Sequence, residues 1–148
     1  MKYELTNETK IVYGITLYRI KATKDFGIVS QGTLGGFVEK IENLSMYGNA
    51  WVYGDACVYG NACVYGNAKV YGDAKVYGDA WEKSPLFIAG SRHSLTNCKH
   101  GFINIGCKEF TFEYWKQHFK TIGKIEGYTP EEIEEYGLYI DLFCKIGK

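Results

Sequence analysis

The sequence predicts a mainly β protein: a short parallel β-helix of three coils, an N-terminal β-hairpin cap, and a small C-terminal α+β domain ending in two helices. Two observations carry this. From Ser45 to Ala80 one hexapeptide is written six times, from Ser-Met-Tyr-Gly-Asn-Ala to Lys-Val-Tyr-Gly-Asp-Ala, and its first residue varies most. After Trp81 the period stops, and apolar residues recur at helical spacing instead. A six-residue period is neither a heptad nor a strand alternation. It suits one short flat side plus a corner. The expected segments are a hairpin cap at 1–27, the repeat β-helix at 28–81 and the α+β domain at 82–148.

Taken in order, Lys2 to Leu5 reads as a strand, Thr6 to Lys10 as a polar turn, and Ile11 to Lys21 as a longer strand interrupted at Gly14. Such a hairpin would cover the unpaired backbone at the open end of a solenoid. Counting back in sixes from Met46 gives Lys40, Leu34 and Ile28, with Leu44, Val38 and Gly32 four residues after each. Ile28 to Ser45 therefore reads as a degenerate first coil, with Ile41 able to replace Lys40 after a one-residue slip.

Within the hexads, Val52, Val58, Val64, Val70 and Val76 are β-branched and suit an inward-facing extended position. The alanines that end each unit are small enough for a narrow interior. Gly followed by Asn or Asp accepts the left-handed backbone of a corner. Three corners close a triangle of 18 residues, so Tyr53 falls over Tyr71 and Tyr59 over Tyr77 on layers roughly 4.8 Å apart. Each such ring pair contributes about 0.5–1.5 kcal/mol beyond its burial.

Beyond Trp81, Glu82 would bury a charge in the next aliphatic slot, and Pro85 lacks an amide hydrogen for a ladder. Leu86 to Ile88 and Gly101 to Ile105 read as short strands around a polar loop, Gly90 to His100. Thr111 can cap a helix that lines up Phe112, Trp115, Phe119 and Ile122. Thr129-Pro130-Glu131-Glu132 starts a second one, with a Thr cap, Pro in the first turn and Glu three residues after the cap. Its stripe is Ile133, Tyr136, Ile140 and Phe143.

Composition narrows the function. Seventeen basic residues balance seventeen acidic ones. That argues against a general nucleic-acid or anionic-membrane binder, which needs a basic excess. No run of 18 apolar residues suggests a membrane helix, and the polar, acidic start is unlike a signal peptide. Five irregularly spaced cysteines read as free thiols in a reducing cytoplasm.

Candidate binding residues follow from chemistry. Ser91, Arg92 and His93, in a Gly-Ser turn, suit a phosphate or carboxylate, against the alternative of a solvated hairpin tip. Trp51 and Trp81 occupy the variable position of their hexads and are expected to face outward. There they would stack on a planar ligand or on a partner subunit, or pack against the hairpin or the C-terminal domain. Cys57 and Cys63, also expected outward, read as small fillers. Cys98, His100 and Cys107, with His93, could be zinc ligands, but their spacing is that of no familiar finger, and ordinary strand and loop roles account for them. No catalytic residue, metal or cofactor is assigned.

The units from Val52 to Ala56 onward resemble the hexapeptide-repeat, left-handed β-helix family, except that Tyr stands where that family has a small residue. The resemblance alone implies the left hand; general crossover rules favour the right. It also implies a homotrimer, and an acyltransferase as one alternative. The chain as a whole is similar to small bacteriophage and prophage proteins with tandem Val-Tyr-Gly-Asn/Asp-Ala units. The likeness is carried also by Leu17-Tyr18-Arg19-Ile20, Asp25-Phe26-Gly27, Leu34-Gly35-Gly36-Phe37, Ser84-Pro85-Leu86, Ile105-Gly106-Cys107 and the Trp115 helix. It implies a phage origin and little biochemistry. The leading expectation is a non-enzymatic, oligomeric binding protein in the host cytoplasm. It would act in counter-defence by sequestering a nucleotide-like immune signal or by blocking a host protein. Clefts between subunits would offer Tyr, or Trp51 and Trp81, for stacking on a base, with Arg92 or a lysine such as Lys69 for its phosphate. The rivals are the acyltransferase and a self-assembling structural protein.

Overall fold

A computed structural model describes all 148 residues. It divides the chain into two compact units, Met1–Pro85 and Leu86–Lys148.

In the first unit, strands β1 (Tyr3–Val12) and β2 (Ile15–Ala22) form an antiparallel hairpin. Its turn is Tyr13-Gly14, both at positive φ (49° and 78°), the backbone a two-residue hairpin loop requires. The expected turn at Thr6 to Lys10 is instead a break in pairing register between Leu5 and Thr9 within β1. Strand β3 (Leu34–Val38) adds antiparallel to β2, and a short 3-10 helix, Ile41–Asn43, follows.

The repeats then make six strands of two residues each: β4 (Trp51–Val52), β5 (Cys57–Val58), β6 (Cys63–Val64), β7 (Lys69–Val70), β8 (Lys75–Val76) and β9 (Ala80–Trp81). Trp51 pairs with Lys69 and Cys57 with Lys75, each eighteen residues on.

These pairings do not make the expected three-coil parallel β-helix, and that expectation is corrected. The largest sheet runs β1-β2-β3-β5-β8 and is mixed: antiparallel through the hairpin, parallel only beyond β3. The other two sheets are single pairs, β4-β7 and β6-β9. The hairpin is therefore no separate cap. It continues the same sheet as the repeat strands, because β2 offers its free edge to β3. Nor is Ile28 to Ser45 a coil: Ile28 is 79% exposed, Leu34 is exposed, and Ile41 lies in the 3-10 helix.

Glycine explains how β3 approaches the repeats. A Cβ on Gly35 would stand 2.6 Å from the Val52 carbonyl oxygen, and one on Gly36 would stand 2.5 Å from that of Ala56. The five repeat valines and Ala50, Ala56, Ala62, Ala68 and Ala74 are buried. Tyr53 stacks on Tyr71 at 4.8 Å and Tyr59 on Tyr77 at 5.2 Å.

The sixth unit departs from the others. Gly54, Gly60, Gly66 and Gly72 carry the positive φ of their corners, but in the last unit Asp79 carries it (φ 68°). The corner thus moves by one residue. Val64 then meets Trp81 instead of Glu82, the residue eighteen on, and a one-residue slip exchanges the faces of the strand. Ala80 is exposed and Trp81 is buried.

The second unit is an antiparallel sheet of β10 (Phe87–Ala89), β11 (Ser94–Lys99), β12 (Phe102–Ile105) and β13 (Lys108–Thr111), in that order. The expected loop at Gly90 to His100 is mostly β11. As an inner strand it has Leu95, Thr96, Asn97 and Cys98 all buried, which erases the alternation that marks a strand in sequence. Buried Asn97 is satisfied: its Nδ2 donates to the Lys99 and Phe102 carbonyls, and its Oδ1 accepts from the Lys148 amide.

Helix α1 (Phe112–Ile125) starts at Thr111, whose hydroxyl accepts from the Tyr114 amide. Helix α2 (Pro130–Ile146) starts at Thr129 with a reciprocal bond to Glu132. Leu95, Ile103, Ile105, Trp115, Tyr136, Ile140 and Phe143 form the core. No helix of the chain is long and apolar enough to cross a membrane.

Candidate functional site

The Gly90–His93 turn is held by α2. The Tyr136 hydroxyl accepts from the Arg92 and His93 amides (2.8 and 2.6 Å) and donates to the His93 carbonyl (2.9 Å). Gly90 admits this hydroxyl, since a Cβ there would stand 2.5 Å from it. Ser91 gives its amide and hydroxyl to the Glu135 carboxylate (3.0 and 2.6 Å). Those bonds, with one from Tyr139, hold the Glu135 carboxyl below the usual carboxylate range.

Arg92 lies over the Tyr128 ring at 4.7 Å, pairs with Glu132 at 3.0 Å, and donates to the Glu126 and Gly127 carbonyls at the end of α1. Glu132 is also held low, first by the Thr129 amide and then by Arg92. Burial pushes the Tyr128 phenol up to about 12. The amides and guanidinium expected to receive an anion are thus engaged in fastening the turn to the helices. That is the physical reason to set aside a phosphate role for Ser91 and Arg92.

The tryptophans are not outward. Trp51 is fully buried, edge-on to Tyr3 at 6.2 Å and to Phe26 at 5.2 Å. Trp81 fills the slot opened by the Asp79 corner, and its indole donates to the Gly78 carbonyl at 2.8 Å. Neither indole can stack on a ligand from solvent. Cys57 is buried too, against Val12, Leu17, Phe37 and Tyr59, and burial raises its thiol pKa. Lys69 is half-buried, and its amide donates to Ser84 Oγ at 2.8 Å. Cys98 is buried in β11 and Cys107 exposed in the β12–β13 turn; no group of three or more His, Cys, Asp or Glu side chains is placed to hold a metal ion.

His93 does belong to a concave site, one lying wholly within the second unit. A cavity of about 70 Å³ lies between the β12–β13 turn and the two helices. Trp115, Phe119 and Ile122 of α1 and Ile133, Tyr136 and Ile140 of α2 make an apolar floor. His93, Cys107, Lys108, Glu126 and Tyr128 stand around it, with Lys108 and Glu126 paired at 3.1 Å. The His93 ring rests against Gly106, where a Cβ would come within 3.2 Å of it.

Sequence reasoning pointed to His93 but missed the rest of the pocket. Its floor residues read as ordinary core stripes, and Cys107, Lys108 and Glu126 converge only through the fold. Sequence reasoning also missed Lys2 and Tyr3, both buried at the start of β1. Lys2 Nζ donates to the Ala50 carbonyl at 2.8 Å and lies 4.9 Å over Phe26; desolvation, then Lys24, lowers its pKa to about 8. The Tyr3 hydroxyl reaches the Leu44 carbonyl at 2.6 Å, and burial raises its pKa strongly.

Compared with known proteins, the chain matches no family model, and no curated protein is significantly similar to it.

Proposed function

We propose that this is a non-enzymatic binding protein that acts by docking a partner protein, with one aliphatic side chain of the partner held in the pocket of the second unit. The observation that carries this reading is the pocket's size and lining. Its volume of about 70 Å³ is less than half of the roughly 150 Å³ cavity that accepts benzene, so a whole nucleotide is too large for it. An apolar floor ringed by His93, Lys108 and Glu126 has the form of an interface hot spot: a desolvated anchor site inside a polar rim. Of the two modes expected from sequence, blocking a host protein therefore has better support than sequestering a nucleotide-like signal. The engagement of Arg92 and the burial of both tryptophans weigh the same way. The counter-defence setting and the bacterial cytoplasm rest on the sequence resemblance to phage proteins. Oligomerisation is part of the proposal.

The test uses Cys107→Trp, an exposed position from which a large ring covers the pocket mouth. Immobilised wild-type protein should retain one stoichiometric host protein. Cys107→Trp should lose it, Cys107→Ser should keep it, and both variants should melt like the wild type. The same retained proteins on all three would refute docking at this pocket. Calorimetric binding of a cyclic dinucleotide in place of any protein would return sequestration to the lead.

A further inference from the structure

We propose that the outer face of α2 is a self-association surface, pairing antiparallel with the same helix of a second copy of the chain. This does not rest on the pocket. Helix α2 is apolar on two sides. One side, Tyr136, Ile140 and Phe143, is buried in the core of its unit. The other carries Leu138, Leu142 and Ile146, which are 67%, 40% and 64% exposed. Their spacing of four residues makes a single stripe along the helix. A surface helix ordinarily turns charged residues outward and keeps its apolar stripe for the core, so a second stripe in water points to a covering surface.

Charge identifies the occupant. Exposed Glu131 and Glu134 precede the stripe, and exposed Lys145 stands beside its last residue, Ile146. A parallel pairing would set like charges together. An antiparallel pairing about a two-fold axis crosses at Leu138 and Leu142. It brings Glu134 of one copy beside Lys145 of the second. The same patch serves both copies, as a two-fold contact demands. Lys145 leans on Asp141 of its own helix at 3.0 Å, an exposed pair that contributes little, so exchanging it for Glu134 of the second copy is nearly neutral. One helix face about 25 Å long buries less than the roughly 1,200 Å² of a standard interface, so a weak, reversible association is expected.

Sedimentation velocity of the full chain over a micromolar concentration series should show a reversible monomer–dimer equilibrium. Leu138→Glu, an exposed and helix-compatible change, should weaken it by roughly tenfold or more. Glu134→Lys alone should weaken it several-fold, and adding Lys145→Glu should restore it. Should Leu138→Glu melt early, Leu138→Gln gives the same reading without the added charge. A chain that stays monomeric throughout overturns the proposal. So does a dimer indifferent to Leu138, a failure of the double charge exchange to restore association, or a trimer that α2 variants leave intact.

Discussion

The two units reach stability by different routes. In Met1–Pro85 the repeat strands are two residues long, and each places one Val in the interior beside the buried repeat alanines. Close backbone approach and ring stacking hold them. Polar groups of the hairpin add to this by reaching repeat carbonyls: Lys2 to Ala50 at one end, Arg19 to Gly54 on the outside. In Leu86–Lys148 the segments are longer, and a few large side chains carry the core. Trp115 is the chief of them, its indole nitrogen bonded to the Ile103 carbonyl at 2.9 Å. The first unit needs both the missing atoms at Gly35 and Gly36 and the filled slot of Trp51, whereas the second centres on Trp115.

Trp115→Ala should show the largest effect, a loss of about 3–5 kcal/mol expected for a buried Trp. Amide-exchange protection should collapse in Leu86–Lys148 and persist in Met1–Pro85; a joint collapse would mean that the two regions unfold as one. Next, Gly36→Ala should cost about 1–3 kcal/mol, since the new methyl group meets the Ala56 carbonyl and neither backbone can give way cheaply. Here protection should fall in the first unit only. Thr129→Ala should remove about 1 kcal/mol from the second unit, seen as a small drop in its denaturant midpoint, by deleting the cap of α2.

The smallest effects set the units apart by pH. Lys2 titrates near pH 8 in the folded chain and near 10.5 when unfolded. Its burial penalty is therefore fully present below pH 8 and is relieved as pH rises from 8 to 10.5. Relative to Lys2→Met, the wild-type first unit should gain on the order of 1 kcal/mol across that window. Glu132 and Glu135 behave oppositely, with folded pKa values below the ordinary range. Their contribution to the second unit is present above the unfolded carboxylate pKa and disappears as pH falls through the folded one. Denaturant stability of each unit, followed from acid pH to about pH 10.5, separates the two responses.

Sequence legibility followed the range of the interactions. The caps at Thr111 and Thr129 were readable because a cap is settled within four residues. The inward Val and Ala of the repeats, and the pairing of residues eighteen apart, were readable because the hexad states them repeatedly. What the period could not state was how the repeat strands join the rest. The antiparallel edge between β2 and β3 makes the main sheet mixed, and a local repeat count has no access to it. Trp81 was misplaced because one Asp at positive φ shifts a corner by a residue. The site followed the same rule. Ser91, Arg92 and His93 stood out as a cluster, but Tyr136, Glu132 and Glu135, which engage their donors, lie some forty residues away. Without those partners the turn looked free to hold an anion.

The shifted corner at Asp79 has a consequence for folding. Tandem units that are nearly identical can pair in several frames displaced by whole hexads, each matching Val to Val. Such frames are close to degenerate in energy and invite kinetic trapping. The indole of Trp81 breaks the degeneracy. One frame sets it over Val64 with its nitrogen on the Gly78 carbonyl; a displaced frame moves this large side chain out of that slot. The irregular last unit works as a frame marker, an end stop against which the otherwise interchangeable repeats are counted.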